Sequence, residues 1–465
     1  MLEPLIRANF SRLQGVYDRA PSPAYNFLTS ARGWFLTRIR YSAESRTFLS
    51  ELRGHEKWSV AEIAAYQLKA LREIVQYARS TVPFYEKYPQ VDVARVEDLQ
   101  RLPVLARETV REDPERFVSR SIPPHQLIRA GTTGTTGANL KVAYTSQLER
   151  ENWAFLLRQW SWAGIRPREP RVTFFGARVI PAHRTKPPFW TFNRPERQAL
   201  ASIFHLSEKT AGDYLQFLER NQGQVLEGFP SVLGMLADFA LQCGRPIPMR
   251  VTFTSGEPLY ADVRAKIESA FHARVFDSYG MTEYCGQIQE CEHGRMHLIP
   301  EYGFLEILDK NHEPVGPDEE GDFVWTGLLN RAMPLIRYRI GDRGRWLAGP
   351  QCTCGRAFPQ VVPTITRESD ILRSVDGRLF SPRALNQLLK ESVSLRFCQF
   401  VHDRPERVVV RAVGGNSNAA AEMMHIRSRL QELLGTSMKV TAELASAPVM
   451  RPGGKIPLIV NQVPR

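Results

Sequence analysis

Apolar side chains recur at helical spacing through roughly the first 120 residues of the chain, most clearly in the segment 61–80. Ser59 and Glu62 have the spacing of a capping box at the start of this segment. Pro83, which cannot continue a helix, stands just beyond its end. We therefore predict a mainly helical N-terminal region, in which the sequence shows no obvious catalytic group.

Short apolar runs separated by amphipathic stretches occupy the middle of the chain, from about residue 126 to residue 365. The runs that predict buried strands lie at 171–175, 224–229, 250–257 and 274–280. Strands that alternate with helices predict a mostly parallel sheet, whose functional loops lie at the carboxyl ends of the strands. Two further runs, at 304–308 and 322–328, predict a later β-rich portion.

The C-terminal part of the chain has a third pattern. Residues 397–413 predict a hairpin with its turn near Arg404 and Pro405, residues 419–435 predict one helix, and residues 438–444 predict another strand. This combination is typical of a small α+β domain. The predicted fold is therefore of the α/β class: a large N-terminal domain with mostly parallel sheets and helices, followed by the small domain.

Composition narrows the functional classes. The 465 residues are 43% hydrophobic, enough for a large core, and carry a formal net charge of +12. The arginines are spread over almost every segment, so we expect no nucleic-acid partner; a solvated basic surface or an anionic substrate accounts for the charge. No apolar run approaches the length of a transmembrane segment, and no signal peptide is evident, so we expect a cytoplasmic protein with reduced thiols.

One basic and aromatic segment leaves two interpretations open. Arg32, Arg38 and Arg40 surround the apolar residues 34–36 near the start of the chain. The segment could be a membrane-surface element or a helix with a solvated face.

Five short segments contain residues suited to nucleotide chemistry. The glycine- and threonine-rich segment 131–137 could bring backbone N–H groups close to phosphates, although it does not fit a Walker A loop. Aromatic, hydroxyl and carboxylate groups follow one another in 277–283, and an Asp follows a Gly in 337–342. The other two segments are 367–370 and 453–455. Each segment alone could be an ordinary turn.

Taken together and in this order, the five segments resemble the core motifs of the adenylate-forming superfamily, and most closely its phenylacetate–CoA ligase-like family, which includes capsule-biosynthesis ligases. The matches to the (S/T)SGTTG, YGxTE, YRxGD, GRxxD and GGK motifs are 132–137, 279–283, 338–342, 367–370 and 453–455. Segments 228–231 and 255–257 also resemble the family. The chain departs from the family at Ala138 and Asn139, Thr366 and Pro457, where Pro, Gly and a basic or polar residue are common.

The resemblance implies an AMP-forming acid–thiol ligase. A carboxylate would attack the α-phosphate of ATP, giving an acyl-adenylate and pyrophosphate, and a thiol, most likely that of CoA, would then displace AMP. One alternative is that adenylation is followed by amide formation or by loading of a carrier protein. The other is a non-catalytic basic protein that senses nucleotides or binds nucleic acid. The carboxylic acid is not specified, and a homodimer stays open. The implied parts are a helical N-terminal part (1–125), an ATP- and acyl-binding core (126–369) and a small mobile lid (370–465).

The resemblance also implies roles for individual residues. The implied catalytic residues are Lys455, which would bridge the carboxylate and the α-phosphate, Glu283, which would hold Mg²⁺, and Thr282. Asp370 would be the hinge of the small domain. The implied nucleotide-binding residues are Thr133, Gly134, Thr135, Thr136 and Gly137 for the β- and γ-phosphates, Asp342 and Arg367 for the ribose, Tyr279 for adenine, and Glu257, Ser278, Gly280 and Met281.

A candidate metal site is separate from these motifs. Two thiols and a Cys/His pair about 55 residues upstream could form a closed tetrahedral zinc site. The proposed ligands are Cys291, His297, Cys352 and Cys354, with Cys285 and His293 as alternatives. Some relatives in the resembled family carry a structural zinc on such a set. Free thiols are the competing interpretation.

Overall fold

A computed structural model describes residues 22–131, 140–177, 179–181, 184–207, 209–364, 372–380, 384–385, 387–389, 392, 394–414, 417–447, 449 and 457–463. Several predicted site residues lie outside these described residues: Thr133, Gly134, Thr135, Thr136, Gly137, Arg367, Asp370 and Lys455.

The described α-helices, in chain order, are α1 (Ser22–Arg40), α2 (Ala43–His55), α3 (Val60–Thr81), α4 (Arg107–Glu112), α5 (Ser146–Trp162), α6 (Ala211–Glu219), α7 (Pro230–Gln242), α8 (Ala261–Phe271) and α9 (Ala419–Leu434). The predicted capping box of α3 is confirmed, because Ser59 N donates to Glu62 Oε2 at 2.7 Å and Glu62 N donates to Ser59 Oγ at 3.3 Å. The helix ends just before Pro83, as predicted. Within the described part, no helix combines the length and apolar character needed to cross a membrane.

The described strands before residue 365 are β1 (Leu105–Ala106), β2 (Ile128–Gly131), β3 (Lys141–Tyr144), β4 (Arg171–Phe174), β5 (Trp190–Asn193), β6 (Gln198–Ala201), β7 (Val225–Gly228), β8 (Val251–Ser255), β9 (Val275–Gly280), β10 (Gln287–Glu290), β11 (Met296–Leu298), β12 (Gly303–Leu308), β13 (Gly321–Gly327), β14 (Tyr338–Trp346) and β15 (Val361–Pro363). All six predicted apolar runs of this region form strands.

The larger sheet contains eight strands in the order β11-β10-β9-β8-β7-β4-β6-β5. The five strands from β6 to β9 are mutually parallel, while β5, β10 and β11 pair antiparallel at the two edges. Fully buried side chains such as Phe174, Leu226, Leu233 and Phe271 join this sheet to α7 and α8 in one core. The predicted mostly parallel sheet is confirmed, and the carboxyl ends of its parallel strands lie at one edge.

A second sheet has the order β1-β14-β13-β12, with β15 on the outer part of β14. Its core contains Trp325, which is fully buried, and residues of α3 such as Leu71. Gly286 lies so close that a Cβ atom there would stand 2.1 Å from the indole ring of Trp325. This close approach requires glycine, and it brings the segment after β9 against the second sheet.

The C-terminal unit contains β16 (Leu372–Arg373), β17 (Leu379–Phe380), β18 (Leu395–Arg404), β19 (Arg407–Gly414), β20 (Lys439–Leu444) and β21 (Ile459–Asn461). Strands β18 and β19 form the predicted hairpin, and β20 and β21 pair with it in parallel, giving the order β20-β19-β18-β21. Helix α9 packs on β19 and β20 through buried side chains such as Ile426 and Leu430. The α/β fold class with a C-terminal α+β unit is confirmed.

Candidate active site

Three of the predicted motif segments leave the larger sheet at the same edge. Strands β7, β8 and β9 are neighbours in parallel register, with Gly228 opposite Thr254 and Ser255 opposite Ser278. The segments 228–231, 255–257 and 279–283 follow or include the carboxyl ends of these strands. Ligands of open α/β sheets bind at such an edge, so the sheet itself brings these motifs together.

Glu257 joins two of these segments. Its Oε2 accepts a hydrogen bond from Ser231 N at 3.1 Å, in the first turn of α7, where backbone N–H groups have no partner within the helix. Glu257 Oε1 and Ser231 Oγ are buried and have no hydrogen-bond partner among the described residues. Both atoms are therefore available to a hydrogen-bonding group of a ligand.

The motif after β9 meets the motif of β14 through two hydrogen bonds. Tyr279 OH donates to Asp342 Oδ2 at 2.9 Å, and Tyr338 OH donates to Glu283 Oε1 at 3.0 Å. Burial and the facing carboxylates raise the pKa of both tyrosines well above the ordinary value, so the hydroxyl groups keep their protons and act as donors. Each motif thus orients a carboxylate of the other motif.

The surroundings of Tyr279 fix its ring. One contact is with Trp325, whose ring centroid lies 6.2 Å away at an interplanar angle of 18°. Asp342 is half-buried. The φ of +92° at Gly341, which favours glycine, directs the chain into Asp342. Gly280 is exposed, and no atom lies within 4 Å of the position a Cβ would take.

A basic residue that the sequence did not single out lies beside the carboxylates. Arg107 NH2 is 3.9 Å from Glu283 Oε1, and the Glu283 side chain is only 3% exposed. Burial opposes the charge of Arg107, but Glu283, Tyr338 and Asp342 outweigh burial and raise its pKa. The short strand β1 places Arg107 here, because Leu105 pairs in parallel with Tyr338.

Asp277, in β9, forms hydrogen bonds at the start of the same motif. Its Oδ1 accepts a hydrogen bond from Thr254 Oγ1 at 2.7 Å, and its backbone N donates to Glu290 Oε2 at 2.8 Å. Burial raises the pKa of Asp277 to about 6, although the hydroxyl of Thr254 favours the charged form. Arg264 NH2, 2.7 Å from Glu290 Oε2, supplies the opposite charge.

The structure also brings together the four proposed zinc ligands. The ligand atoms of Cys291, His297, Cys352 and Cys354 all lie within 4.8 Å of one another. The Sγ atoms of Cys291 and Cys352 are 3.8 Å apart, and Cys354 Sγ is 3.6 Å from His297 Nε2. A tetrahedral zinc ion with ordinary bond lengths has S–S edges of about 3.8 Å and S–N edges of about 3.6 Å. These two distances therefore match the edges of a closed zinc site.

The backbone around the cluster orients its ligands. His297 Nδ1 lies 2.9 Å from Phe358 O, so that this nitrogen is the donor and Nε2 faces the thiols. His293 Nδ1 instead contacts Thr353 Oγ1 at 3.1 Å, and Cys285 Sγ contacts Glu283 O, so neither alternative ligand belongs to the cluster. None of the six cysteines forms a disulfide.

Comparisons with known proteins agree with this architecture. A sequence model of the family described as AMP-binding enzyme matches residues 200–329. Protein CapK of Staphylococcus aureus is 22% identical over 468 residues, which cover 97% of this chain and 100% of that protein. The phenylacetate-coenzyme A ligase of Escherichia coli is 27% identical over 350 residues, which cover 71% of this chain and 77% of that enzyme.

A solved structure shows the same fold. The structure of 2-hydroxyisobutyryl-CoA ligase in complex with 2-HIB-AMP and CoA has a TM-score of 0.56 at 20% identity, over 88% of this chain and 92% of that chain. The three comparisons agree with one another. Residues 200–329 match the AMP-binding enzyme family, and most of the chain is similar in sequence to CapK and to phenylacetate-coenzyme A ligases and in fold to an acid–CoA ligase.

Proposed function

We propose that this chain activates a carboxylic acid with ATP through an acyl-adenylate, releases pyrophosphate, and transfers the acyl group to the thiol of CoA. The observation that carries the proposal is the pair of contacts between the two motifs: Tyr279 with Asp342, and Tyr338 with Glu283. These contacts hold the carboxylates of Asp342 and Glu283 where the two motifs meet, which supports a ribose-binding role for Asp342 and a metal-binding role for Glu283.

The charges of the site suit a reaction between two anions. The substrate carboxylate and the triphosphate repel each other, so the site must supply positive charge. Arg107 is the described cation nearest to Glu283. Glu283 would hold Mg²⁺, because carboxylate oxygens are the ligands that Mg²⁺ prefers, and the ion would screen the phosphate charge. Asp342 Oδ1 would accept from the ribose, while Tyr279 fixes the other oxygen of the same carboxylate.

The remaining roles come from the motif resemblance. Thr133, Gly134, Thr135, Thr136 and Gly137 would bind the β- and γ-phosphates, and Lys455 would bridge the carboxylate and the α-phosphate. Arg367 would assist Asp342 at the ribose, and Asp370 would be the hinge. Glu257 and Ser231, with their unpartnered polar atoms, supply a further polar contact at the same edge.

ATP–pyrophosphate exchange tests the first step. The panel should include phenylacetate and 2-hydroxyisobutyrate, since relatives are named for these acids, together with fatty, aryl and amino acids. At least one acid should support exchange, and Asp342→Ala should abolish it. Asp322→Ala is the matched control, because Asp322 lies on neighbouring β13 and pairs with Arg343 at the surface. A folded protein that binds ATP but exchanges with no acid would favour a nucleotide sensor.

Single-turnover kinetics separate the two steps. Lys455→Ala should slow adenylation by about 10²–10⁴-fold, in the range for the loss of a preorganised charge contact. Acyl transfer from a supplied acyl-adenylate should change far less. Asp370→Pro should spare exchange and block acyl transfer, because it would restrict the hinge. Equal damage to both steps by Lys455→Ala would contradict domain alternation. Replacing CoA by an amine or a carrier protein identifies the acceptor.

We also propose that Cys291, His297, Cys352 and Cys354 hold one structural zinc ion. Four protein ligands leave no position open for a reacting group, so the ion would stabilise the fold and take no part in the reaction. It would join the β10–β11 turn to the loop between β14 and β15, and thus the two sheets that carry the motifs.

A further inference from the structure

A stripe of exposed apolar side chains runs along α1, outside the candidate active site. Phe27 is 73% exposed and Trp34 is 53% exposed. With Ala31 and Arg38 they occupy positions i, i+4, i+7 and i+11, which lie on one face of a helix. The guanidinium carbon of Arg38 lies 3.6 Å from the centroid of the Trp34 ring, so the stripe ends in a cation–π pair.

The contacts of α1 fix the direction of this stripe. Asn26 Oδ1 accepts from Phe192 N at 2.9 Å, and Ser30 Oγ donates to Phe192 O at 3.0 Å. Gly33 lies so close to β5 that a Cβ there would stand 1.7 Å from Asn193 Oδ1. The adjacent face of α1 therefore rests on β5, the edge strand, and the stripe points away from the protein. Phe192, which is 40% exposed, extends the apolar surface onto β5.

The exposed charged side chains of α1 and of residues 190–201 are all positive. Helix α1 contains no Asp or Glu, and the single carboxylate in 190–201, Glu196, is fully buried and paired with Arg171 at 2.9 Å. Exposed arginines remain beside the stripe: Arg38, Arg194 and Arg197. The last two line a cavity of about 490 Å³ together with Asn26, Phe192 and several other amide side chains.

We propose that this surface, formed by α1, β5 and the turn after β5, is a peripheral docking site for an anionic lipid membrane. Aromatic side chains prefer the bilayer interface, and arginines beside them attract anionic headgroups. The cavity with Arg194 and Arg197 offers donors for a phosphate ester headgroup. The outward projection of Phe27 and Trp34 suits insertion between headgroups better than stacking of bases, which uses aromatic rings along a groove. The helix lies on the membrane and does not cross it.

Vesicle flotation with the full chain tests the proposal. The protein should bind vesicles of phosphatidylcholine mixed with phosphatidylglycerol, should bind poorly to phosphatidylcholine alone, and should be released by salt. Phe27→Ser/Trp34→Ser should weaken binding at least tenfold. Arg194→Gln/Arg197→Gln should weaken it about 25-fold, from about fivefold for each arginine near an anionic surface.

Matched variants control for general loss of surface groups. Val60→Ser removes an apolar side chain that is 70% exposed on another helix, and Arg95→Gln removes a basic side chain that is 77% exposed. Neither should change vesicle binding, and all variants should melt like the wild type. Equal binding of all variants, or equal binding to neutral vesicles, would overturn the proposal. So would self-association that Phe27→Ser/Trp34→Ser abolishes, or binding of a single-stranded oligonucleotide in place of vesicles.

Discussion

Replacing Cys354 by Ser is the sharpest test of the proposed zinc site. Cys354 lies on the loop after β14 and is only half-buried, so the substitution removes one proposed ligand without opening a cavity in the core. The Sγ atom is 3.6 Å from His297 Nε2, at the separation expected for two ligands of one zinc ion. Cys354→Ser should therefore leave an incomplete ligand set and lower the zinc content from about one per chain towards zero.

The stability effect follows from binding linkage. Zinc at about 1,000 times its dissociation constant stabilises a fold by ~4 kcal/mol when it binds only the native state. For a cooperative unit of ~250 residues, with an unfolding entropy of ~2.1 cal/mol/K per residue, this corresponds to a decrease in melting temperature of about 8 °C. A strong chelator should lower the melting temperature of the wild type by a similar amount and leave Cys354→Ser unchanged.

Elemental analysis and thermal melts of protein purified without chelator give the answer. Cys243→Ser, at an exposed thiol, should keep both zinc and stability. Cys398→Ala, in the core of the C-terminal unit, should lose stability but keep zinc, so it separates the two effects. Wild-type protein with little zinc, whose melting temperature a chelator does not change, would refute the reasoning and leave three free thiols beside a histidine.

Three further substitutions test other parts of the structure. Tyr279→Phe removes the donor that orients the Asp342 carboxylate, for which we propose ribose binding, so the KM for ATP in pyrophosphate exchange should rise about tenfold; an unchanged KM would contradict the role of the hydroxyl. Glu301→Gln leaves the buried guanidinium of Arg158 without its partner and should cost about 3–5 kcal/mol in thermal unfolding. Burial alone would raise the pKa of Glu301, but Arg158 outweighs burial and holds the pKa below its ordinary value. The stabilisation should therefore be complete above the unfolded-state pKa and disappear as the pH falls through the folded-state pKa, and a pH-independent difference would contradict this. Gly286→Ala should lower the free energy of unfolding by about 1–3 kcal/mol through overpacking against the indole ring, whereas Gly54→Ala, with no atom within 4 Å, should be neutral or stabilising.

The positions of the strands and the edge that carries the functional loops could be predicted from sequence, because both depend on local patterns. Apolar runs predicted the strands, and parallel strands bring the loops at their carboxyl ends to one edge of the sheet. The motif resemblance predicted that Tyr279 and Asp342 bind the same nucleotide. It did not predict the hydrogen bond between them. Which atoms bond depends on how two different sheets pack, and no local pattern records that packing.

Arg107 shows why some groups near the site could not be predicted from the sequence. Arginine occurs in almost every segment, so one more arginine carries no signal, and its position depends on the pairing of β1 with a distant strand. The proposed zinc ligands are the opposite case. Their spacing along the chain was weak evidence, yet the turn at Cys291 and the loop at Cys352 bring their ligand atoms within 4.8 Å of one another. Here the backbone geometry supplies information that spacing does not.

The pairing of β1 with β14 has a consequence for how the protein assembles during synthesis. Leu105 and Tyr338 are joined in one ladder, although all eight strands of the larger sheet lie between them in the chain. A nascent chain can complete the larger sheet while β14 is still inside the ribosome, but Glu283 then lacks both Arg107 and the hydroxyl of Tyr338. A carboxylate without these partners resists burial, so the site stays open to solvent until the second sheet closes over it. Catalytic competence would therefore be among the last properties that the large domain acquires.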